Sequence, residues 1–411
     1  MSTWRIARRN LGRNLRRTLI ALGAIVLAQS AVLLIDGLLG GYSDAMIDAV
    51  TGPMIGHVQI HAPKWRQERD MERTIDHVGK ALHTLREVEG VKQASARLYA
   101  PALVALGQQG FVGMVLGLDP VQESGANGVL SEHPSLAKKL KGREALVGSG
   151  LAREMGVKPG DELAIVGQGA DGSIANDLVR VMGVIRSPIE IVQSSGLILP
   201  LDAAQELFVM PDQAHEITVH GQDAASADAL AKRIAAVPMF AGMDVKSWRE
   251  LAPELIALLE INQAFTWIIL LLVFVAAAAG VANTMLMATF ERNHELGMLL
   301  ALGCTPRRIV SMITLEALFL GLCGVALGTA VGVAVNMLLA QQGIDLASLG
   351  GKQALENLTF GGMNNGLRIV PRTSATAVLG GIGAVTLTAL LSSLWPAFHA
   401  ARLQPVEAMR E

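Results

Sequence analysis

The side chains best suited to chemistry in this 411-residue chain are scattered, and each lacks the partner its reaction would need. His57 and His61 fall on one face of the strand-like stretch GHVQIHA, which is half of a metal site; no His, Cys or carboxylate pattern completes it, so two surface histidines are expected. Ser149 in VGSGLA lacks the G-x-S-x-G elbow of an esterase nucleophile and reads as a helix-start cap. Gly351-Lys352 is followed by Gln353, outside any G-x-x-x-x-G-K-[ST] pattern, so no phosphate loop for ATP is predicted. Cys304 and Cys323 support neither a disulfide framework nor a CxxC metal site. With His294 read as a solvated helix-face residue, no catalytic or metal-ligating set is expected.

Polar residues concentrate instead in the connector 291–309, ERNHELGMLLALGCTPRRI, held between two long apolar runs. A helix carrying Glu291, Arg292 and Glu295 leads to Gly297 and LLALG, breaks at Thr305-Pro306 and is followed by Arg307 and Arg308. Such a helix has a charged face and an apolar face of Met298, Leu299 and Leu302, ends at Gly303 and restarts at Pro306. That is a compact knob for a partner's groove, the alternative being an ordinary interfacial loop.

The elements that position this connector follow from composition. At 51% hydrophobic, 17% charged and mean hydropathy +0.41, the chain is too apolar for one soluble domain and too charged to lie wholly in lipid. A net charge of −2 and 4% aromatic content argue against a nucleic-acid partner. Four apolar segments approach or exceed the ~20 residues needed to span a bilayer: 18–40, 261–290, 309–340 and 375–398. Ala28-Gln29-Ser30 loosely resembles a signal cleavage site, but the apolar run continues well past it, so an uncleaved anchor fits better. The arginines at 5, 8, 9, 13, 16 and 17 place the N-terminus in the cytoplasm, and four spans return the C-terminus to the same side. The order expected is an amphipathic helix along the inner leaflet (1–17, with Trp4, Leu11 and Leu15), the first span, an outer domain (41–260), the second span, an inner loop (291–308), the third span, a short outer connector (341–374), the fourth span and a cytoplasmic tail (399–411).

The outer segment reads as mixed α/β. A strand near 56–62, a helix near 74–88 and a strand near 91–98 are matched by a second unit at 216–221, 225–236 and 244–248. Two such units closing from both ends predict a ferredoxin-like core with an inserted β-rich subdomain at about 101–211. Strands are expected there at 111–120, 158–167 and 178–187. The fold class is thus an α+β membrane protein: four transmembrane helices with a large α/β domain between the first two. Within the spans, Gly321, Gly324, Gly328 and Gly332 form overlapping G-x-x-x-G spacings, suited equally to intrachain packing or a dimer seam. Glu316 must face protein, water or the interface, and Asp36 either snorkels outward or lines a polar mouth.

The connector with its downstream Glu316 and glycine run, together with LLSSLWPAFHAARLQPVEAMRE (390–411), resembles the FtsX/macrolide-exporter superfamily of ABC transporter permeases. VGMVLGLDPVQ, LVGSGLAREMGVKPGDELAIV and SWRELAPEL resemble the lipoprotein-releasing, Lol-type branch, and the similarity covers essentially the whole chain. The resemblance implies a bacterial inner-membrane protein with a periplasmic outer domain, a cytoplasmic ATPase dimer that binds ATP and Mg, and a second permease, either a paralogue or an identical copy. The chain itself would need no cofactor. ATPase-coupling positions would be Glu291, Arg292, Glu295, Leu296, Gly297, Leu302, Gly303 and Pro306. The cargo would be an acylated lipoprotein, drawn from membrane lipid through a cavity between the first and second spans towards a periplasmic carrier; Gln29, Ser30, Asp36, Ala276 and Gly280 suit such a cavity. Moving acyl chains out of lipid opposes ~0.8 kcal/mol per buried CH₂, which is why ATP is needed. One departure is the loop 167–177, GQGADGSIAND, which lacks the proline of the carrier-docking hook. This speaks for a non-docking partner in a heterodimer, or for a homodimer that works differently. Alternatives are export of a small molecule or peptide, as in macrolide-exporter relatives that often carry a fused ATPase, and regulation of cell-wall hydrolases without transport.

Overall fold

The computed structural model describes residues 15–187, 189–345 and 368–402, and the chain divides into two units. One comprises Met1–Asp44, Leu258–Ile344 and Arg368–Glu411; the other comprises Ala45–Ala257 and Asp345–Leu367. Most of the expected inner-leaflet helix, the tail beyond Arg402 and residues 346–367 of the short connector lie outside the described residues.

Helix α1 (Leu15–Val50) closes in a π-helical turn, Thr51–Ile55. The large unit then follows as β1 (Val58–His61), α2 (Val78–Glu87), β2 (Val91–Leu106), β3 (Gln109–Leu118), β4 (Glu144–Gly148), β5 (Glu162–Gln168), β6 (Ile174–Ile185), β7 (Gly196–Pro200), β8 (Glu216–Gly221), α3 (Ala227–Ala235) and β9 (Asp244–Ser247). Strands β9-β1-β8-β2 form an antiparallel sheet in ferredoxin-like order. Helices α2 and α3 cover one face of it. Val78, Ala81 and Leu85 in α2, and Ala227, Leu230 and Ile234 in α3, recur at helical spacing and are buried against Val58, Ile60, Ala94, Ala96, Ile217 and Val219.

Strand β2 is the joint between the two halves. The sequence suggested a strand ending near Leu98; it continues to Leu106, because alternate residues from Ala94 to Val104 pass from the helix-covered core into a second core without a break in their burial. The inserted subdomain is therefore continuous with the ferredoxin-like sheet. Strands β2-β3-β7-β4-β6-β5 follow one another, and β5 pairs back onto β2, closing a six-stranded ring. Val104, Val115, Val147, Ile165, Val181 and Leu197 fill it. Closure removes the exposed edges that an open sheet would offer for aggregation. The three strands read from sequence are β3, β5 and β6. The two not read, β4 (EALVG) and β7 (GLILP), are short, almost wholly buried runs that pair in parallel with β6 and β3, and so carry no polar alternation to reveal them. Residues 167–177 belong mostly to the β5–β6 hairpin, with only 169–173 outside its strands. Ser149 is not a cap: Gly148 occupies the N-cap position, and Ser149 is the first residue of the helix Ser149–Met155.

The membrane unit contains the lipid-length part of α1 with α4 (Pro253–Phe290), α5 (Asn293–Ala301), α6 (Pro306–Gln342) and α7 (Ala375–Ala401). All but α5 are long and apolar enough to cross a membrane. With 38 and 37 residues, α4 and α6 rise roughly 55 Å each, well beyond ~30 Å of hydrocarbon. The glycines of α6 mark where its neighbours come closest. A methyl group at Gly324 would lie 2.5 Å from Ile25 Cγ2; at Gly328, 2.7 Å from Gln29 Cβ and 2.8 Å from the Val26 carbonyl; at Gly332, 3.1 Å from Leu33 Cβ. Ile25, Gln29 and Leu33 are one face of α1, so these glycines form an intrachain seam, while Gly321 faces Ala389 of α7. Of the two uses open to the G-x-x-x-G spacing, the chain uses the first.

Candidate functional site

The connector folds as its residue types dictate. Helix α5 ends with Leu302 as C-cap and Gly303 at φ +89, a left-handed conformation that a Cβ disfavours. Cys304 N–H donates to the Leu299 carbonyl and Gly303 N–H to the Leu300 carbonyl, both at 3.0 Å, which is the paired bonding of a Schellman end. Thr305 then occupies the N-cap position of α6 in an extended conformation, without a side-chain capping bond, and Pro306 opens the first turn. Of the eight connector positions singled out by the resemblance, Leu296 and Gly297 are buried and turn inward, with Leu296 in the bundle core; they hold α5 rather than offer a surface. Glu291 and Leu302 are exposed, and with Met298 and Leu299 they give α5 an outward face on which Leu302 is 79% exposed.

An ion cluster sets the angle of this helix. Arg292 Nη1 lies 3.1 Å from Glu316 Oε2 of α6, and its Nε lies 3.5 Å from Glu295 Oε2. Of the three surroundings open to it, Glu316 takes protein: it is a buried anchor for the connector. His294 is exposed on the same helix.

At the opposite end of the membrane unit, a cleft of about 680 Å³ opens between α1 and α4. Asp36 and Asp44 face Asn262, Thr266 and Trp267 across it, and Arg372 closes one side in an ion pair with Asp44. Asn262 Nδ2 is buried with no acceptor among the described residues. Of the residues expected here, only Asp36 lines the cleft. Gln29 and Ser30 instead face α6: Gln29 Nε2 donates to Thr329 Oγ1 at 3.1 Å and Ser30 Oγ to the Gly328 carbonyl at 3.0 Å, because the glycine seam draws that face of α1 inward. Gly280 lies against Ala24 of α1, and Ala276 is exposed.

The large unit holds a buried polar network that sequence reasoning missed. Arg97, 1% exposed, grips Glu123 with both Nε (2.8 Å) and Nη2 (3.0 Å) and donates to the carbonyls of Met54 (2.6 Å) and Pro53 (2.9 Å). Burial opposes the charge on Glu123, yet Arg97 and the hydrogen bonds from Val129 N and Ser95 outweigh it and hold its carboxyl below the usual range. Glu216 lies 3.6 Å from Arg97 Nη1 and accepts from Tyr99. Nothing in the local pattern of β2 announces the network, since Glu123 and Glu216 arrive from distant parts of the chain.

His57 and His61, expected at the surface, are buried, as are His215 and His220. His57 Nδ1 accepts from Gly221 N–H, and His61 Nε2 lies 3.0 Å from Gln59 Oε1. The described residues contain no group of three or more potential metal ligands. Burial pulls the affinity of all four imidazoles for a proton down, His220 to about 4, with His57 and Arg97 adding to the effect. In the unfolded chain a histidine titrates near 6.5, so the unfolded state takes up protons first as pH falls, and stability is lost between about 6.5 and 4. His220 alone accounts for roughly 3 kcal/mol across that window. The urea midpoint of the large unit in the full-length protein is expected to fall over this range, and less steeply in His220→Asn. Equal slopes in both proteins would remove His220 from this account.

The arrangement matches known families over most of its length. Residues 267–405 match the family model of the FtsX-like permease C-terminal region, and residues 18–237, more than half the chain, match the MacB-like periplasmic core domain. The chain belongs to the FtsX/MacB superfamily of ABC transporter permeases. This makes it a multi-pass bacterial inner-membrane protein, and makes the large unit its periplasmic domain. It is 25% identical over 422 residues to the lipoprotein-releasing system transmembrane protein LolE of Haemophilus influenzae, covering 99% of this chain and 98% of that one. It is 20% identical to LolC of Neisseria meningitidis over 65% of each chain, and 31% identical to the macrolide export protein MacB of Shewanella oneidensis over 33% of this chain and 17% of that protein. The chain thus spans a little under two thirds of that LolC and about a sixth of that MacB. Among solved structures, the periplasmic region of MacB from Actinobacillus actinomycetemcomitans aligns with a TM-score of 0.34 and 12% identity, over 50% of this chain and 94% of that one.

Proposed function

We propose that this permease extracts acylated lipoproteins from the outer leaflet of the inner membrane and passes them to a periplasmic carrier, driven by a separate ATPase dimer that binds ATP and Mg. The observation that carries the reading is the cleft between α1 and α4. It combines apolar walls from Leu39, Trp267 and Leu270 with a polar end at Asp36, Asn262 and Arg372, as acyl chains attached to a polar peptide require. Similarity to LolE along nearly the full chain supports it. The arginines at 5, 8, 9, 13, 16 and 17 favour a cytoplasmic side for both termini and for the α5 connector, where α5 would meet the ATPase. A second permease, a paralogue or another copy, would complete the transporter.

Reconstitution with its ATPase, a fluorescent triacylated lipoprotein and a carrier is expected to give ATP-dependent release. Leu270→Arg and Thr266→Trp in the cleft should each lower release about tenfold. ATP-driven efflux of small molecules with no lipoprotein release would replace this reading with the exporter one, and ATP turnover without movement of either would favour a regulator.

A further inference from the structure

The periplasmic domain contains a second cavity that the transport reading does not use. It measures about 530 Å³, within the range of small-ligand pockets, and lies over the face of β2 that carries Arg97 and Tyr99. One wall is apolar: Met54, Met114, Leu116, Ile189 and Ile191, the last 48% exposed. The floor is polar and internally engaged: Arg97 donates to Glu123 and two carbonyls, the Glu216 carboxylate accepts from Tyr99 and lies 3.6 Å from Arg97 Nη1, and His61 lies within hydrogen-bond distance of Gln59 Oε1 and the His215 carbonyl.

The rim is where charge is left over. Arg69 lies over the Trp65 ring at 4.4 Å, and Trp65 also stacks on His61 and on His215. Neither Arg66 nor Arg69 has an anionic partner among the described residues. The nearest candidates along the chain, Glu68 and Asp70, are both taken by Arg73. Two guanidinium groups without counter-ions beside an apolar wall are complementary to a molecule with an anionic head and an apolar tail. A neutral apolar ligand would leave those charges unanswered, and a free anion would leave the apolar wall wet.

We infer that this pocket binds a single-chain anionic amphiphile, its carboxylate or phosphate head on Arg66 and Arg69 and its chain against Met114, Leu116 and Ile191. The site stands on the domain's own geometry and is independent of which cargo the membrane unit moves.

The test uses the full-length permease in lipid nanodiscs, without ATPase or lipoprotein, exposed to three probes carrying a photoreactive diazirine on the chain: palmitate, a lysophosphatidate and the methyl ester of palmitate. Saturable adducts on peptides containing Met114 or Ile191 are expected with either or both anionic probes and not with the ester; which of the two labels identifies the head as carboxylate or phosphate. Arg66→Glu with Arg69→Glu should lower that labelling by about tenfold or more, and Met114→Trp should abolish it by filling the pocket. Circular dichroism checks that each variant is folded, and adducts on the membrane helices serve as an internal control. Equal labelling by the ester, absence of adducts on these peptides, or labelling indifferent to the double charge reversal in folded protein would overturn the site. None of these outcomes bears on lipoprotein release, which is read separately.

Discussion

Replacing Arg97 with alanine is expected to cost the periplasmic domain ~3–5 kcal/mol, the range for breaking a buried ion pair from one side. The loss comes from what remains: Glu123, 1% exposed, would keep its charge with only Ser95 and Val129 to answer it, and the Met54 and Pro53 carbonyls would each lose a donor. Since domains are stable by only ~5–15 kcal/mol, this removes a large share of the total. Arg97→Lys should recover little, because an ammonium cannot hold both oxygens of Glu123 and two carbonyls in one plane. Arg97→Met with Glu123→Leu should recover more than the lysine, since it removes the stranded charge altogether. Pulse proteolysis of the full-length protein in urea measures all three. The alanine variant should also expose the segment around Pro53 and Met54, which Arg97 ties to β2. A shift under about 1 kcal/mol in Arg97→Ala would mean that the network is relaxed by water and does not hold the domain.

The same network explains where sequence stopped being informative. The ferredoxin-like half was legible because α2 and α3 bury one helical stripe each, and β1 and β8 are bounded by turns, so periodicity alone located them. Helix α5 was legible for the same reason: Gly303 and Pro306 can act in few ways between two apolar runs. Arg97 was not, because an arginine on an alternating strand reads as an exposed residue until Glu123 is brought to it from 26 residues later in the chain and Glu216 from the facing position on β8. The histidines failed similarly. Strand β1 looked half-exposed, but it lies between β8 and β9 with all four residues buried, so His61 turned inward to hydrogen-bond partners. Gln29 and Ser30 were misplaced because hydropathy shows that α1 spans the membrane and not which way it is rotated; rotation is fixed by three glycines three hundred residues away.

Rotation of another element governs the last expectation. With nine residues, α5 is shorter than the ~12–15 at which an isolated helix becomes even marginally stable in water, so its position depends on tertiary contacts. Two are evident: Leu296 in the bundle core, and Arg292 between Glu295 and the buried Glu316. If α5 delivers ATPase motion to the permease, Arg292→Glu should lower ATP-driven release at least about tenfold, the equivalent of 1.4 kcal/mol, by placing a third carboxylate beside these two. Membrane insertion should persist, because the glycine seam and the spans are untouched. Arg292→Glu combined with Glu316→Arg restores a pair of opposite charges and should recover part of the activity. Leu302→Asp separates position from contact: this side chain is 79% exposed and supports nothing in the bundle, so its replacement should weaken ATPase co-purification while leaving the permease as stable as before. Full ATPase association and release in both Arg292→Glu and Leu302→Asp would remove α5 as the coupling element. Loss in Leu302→Asp alone would keep α5 as the docking surface and limit the ion cluster to holding the fold.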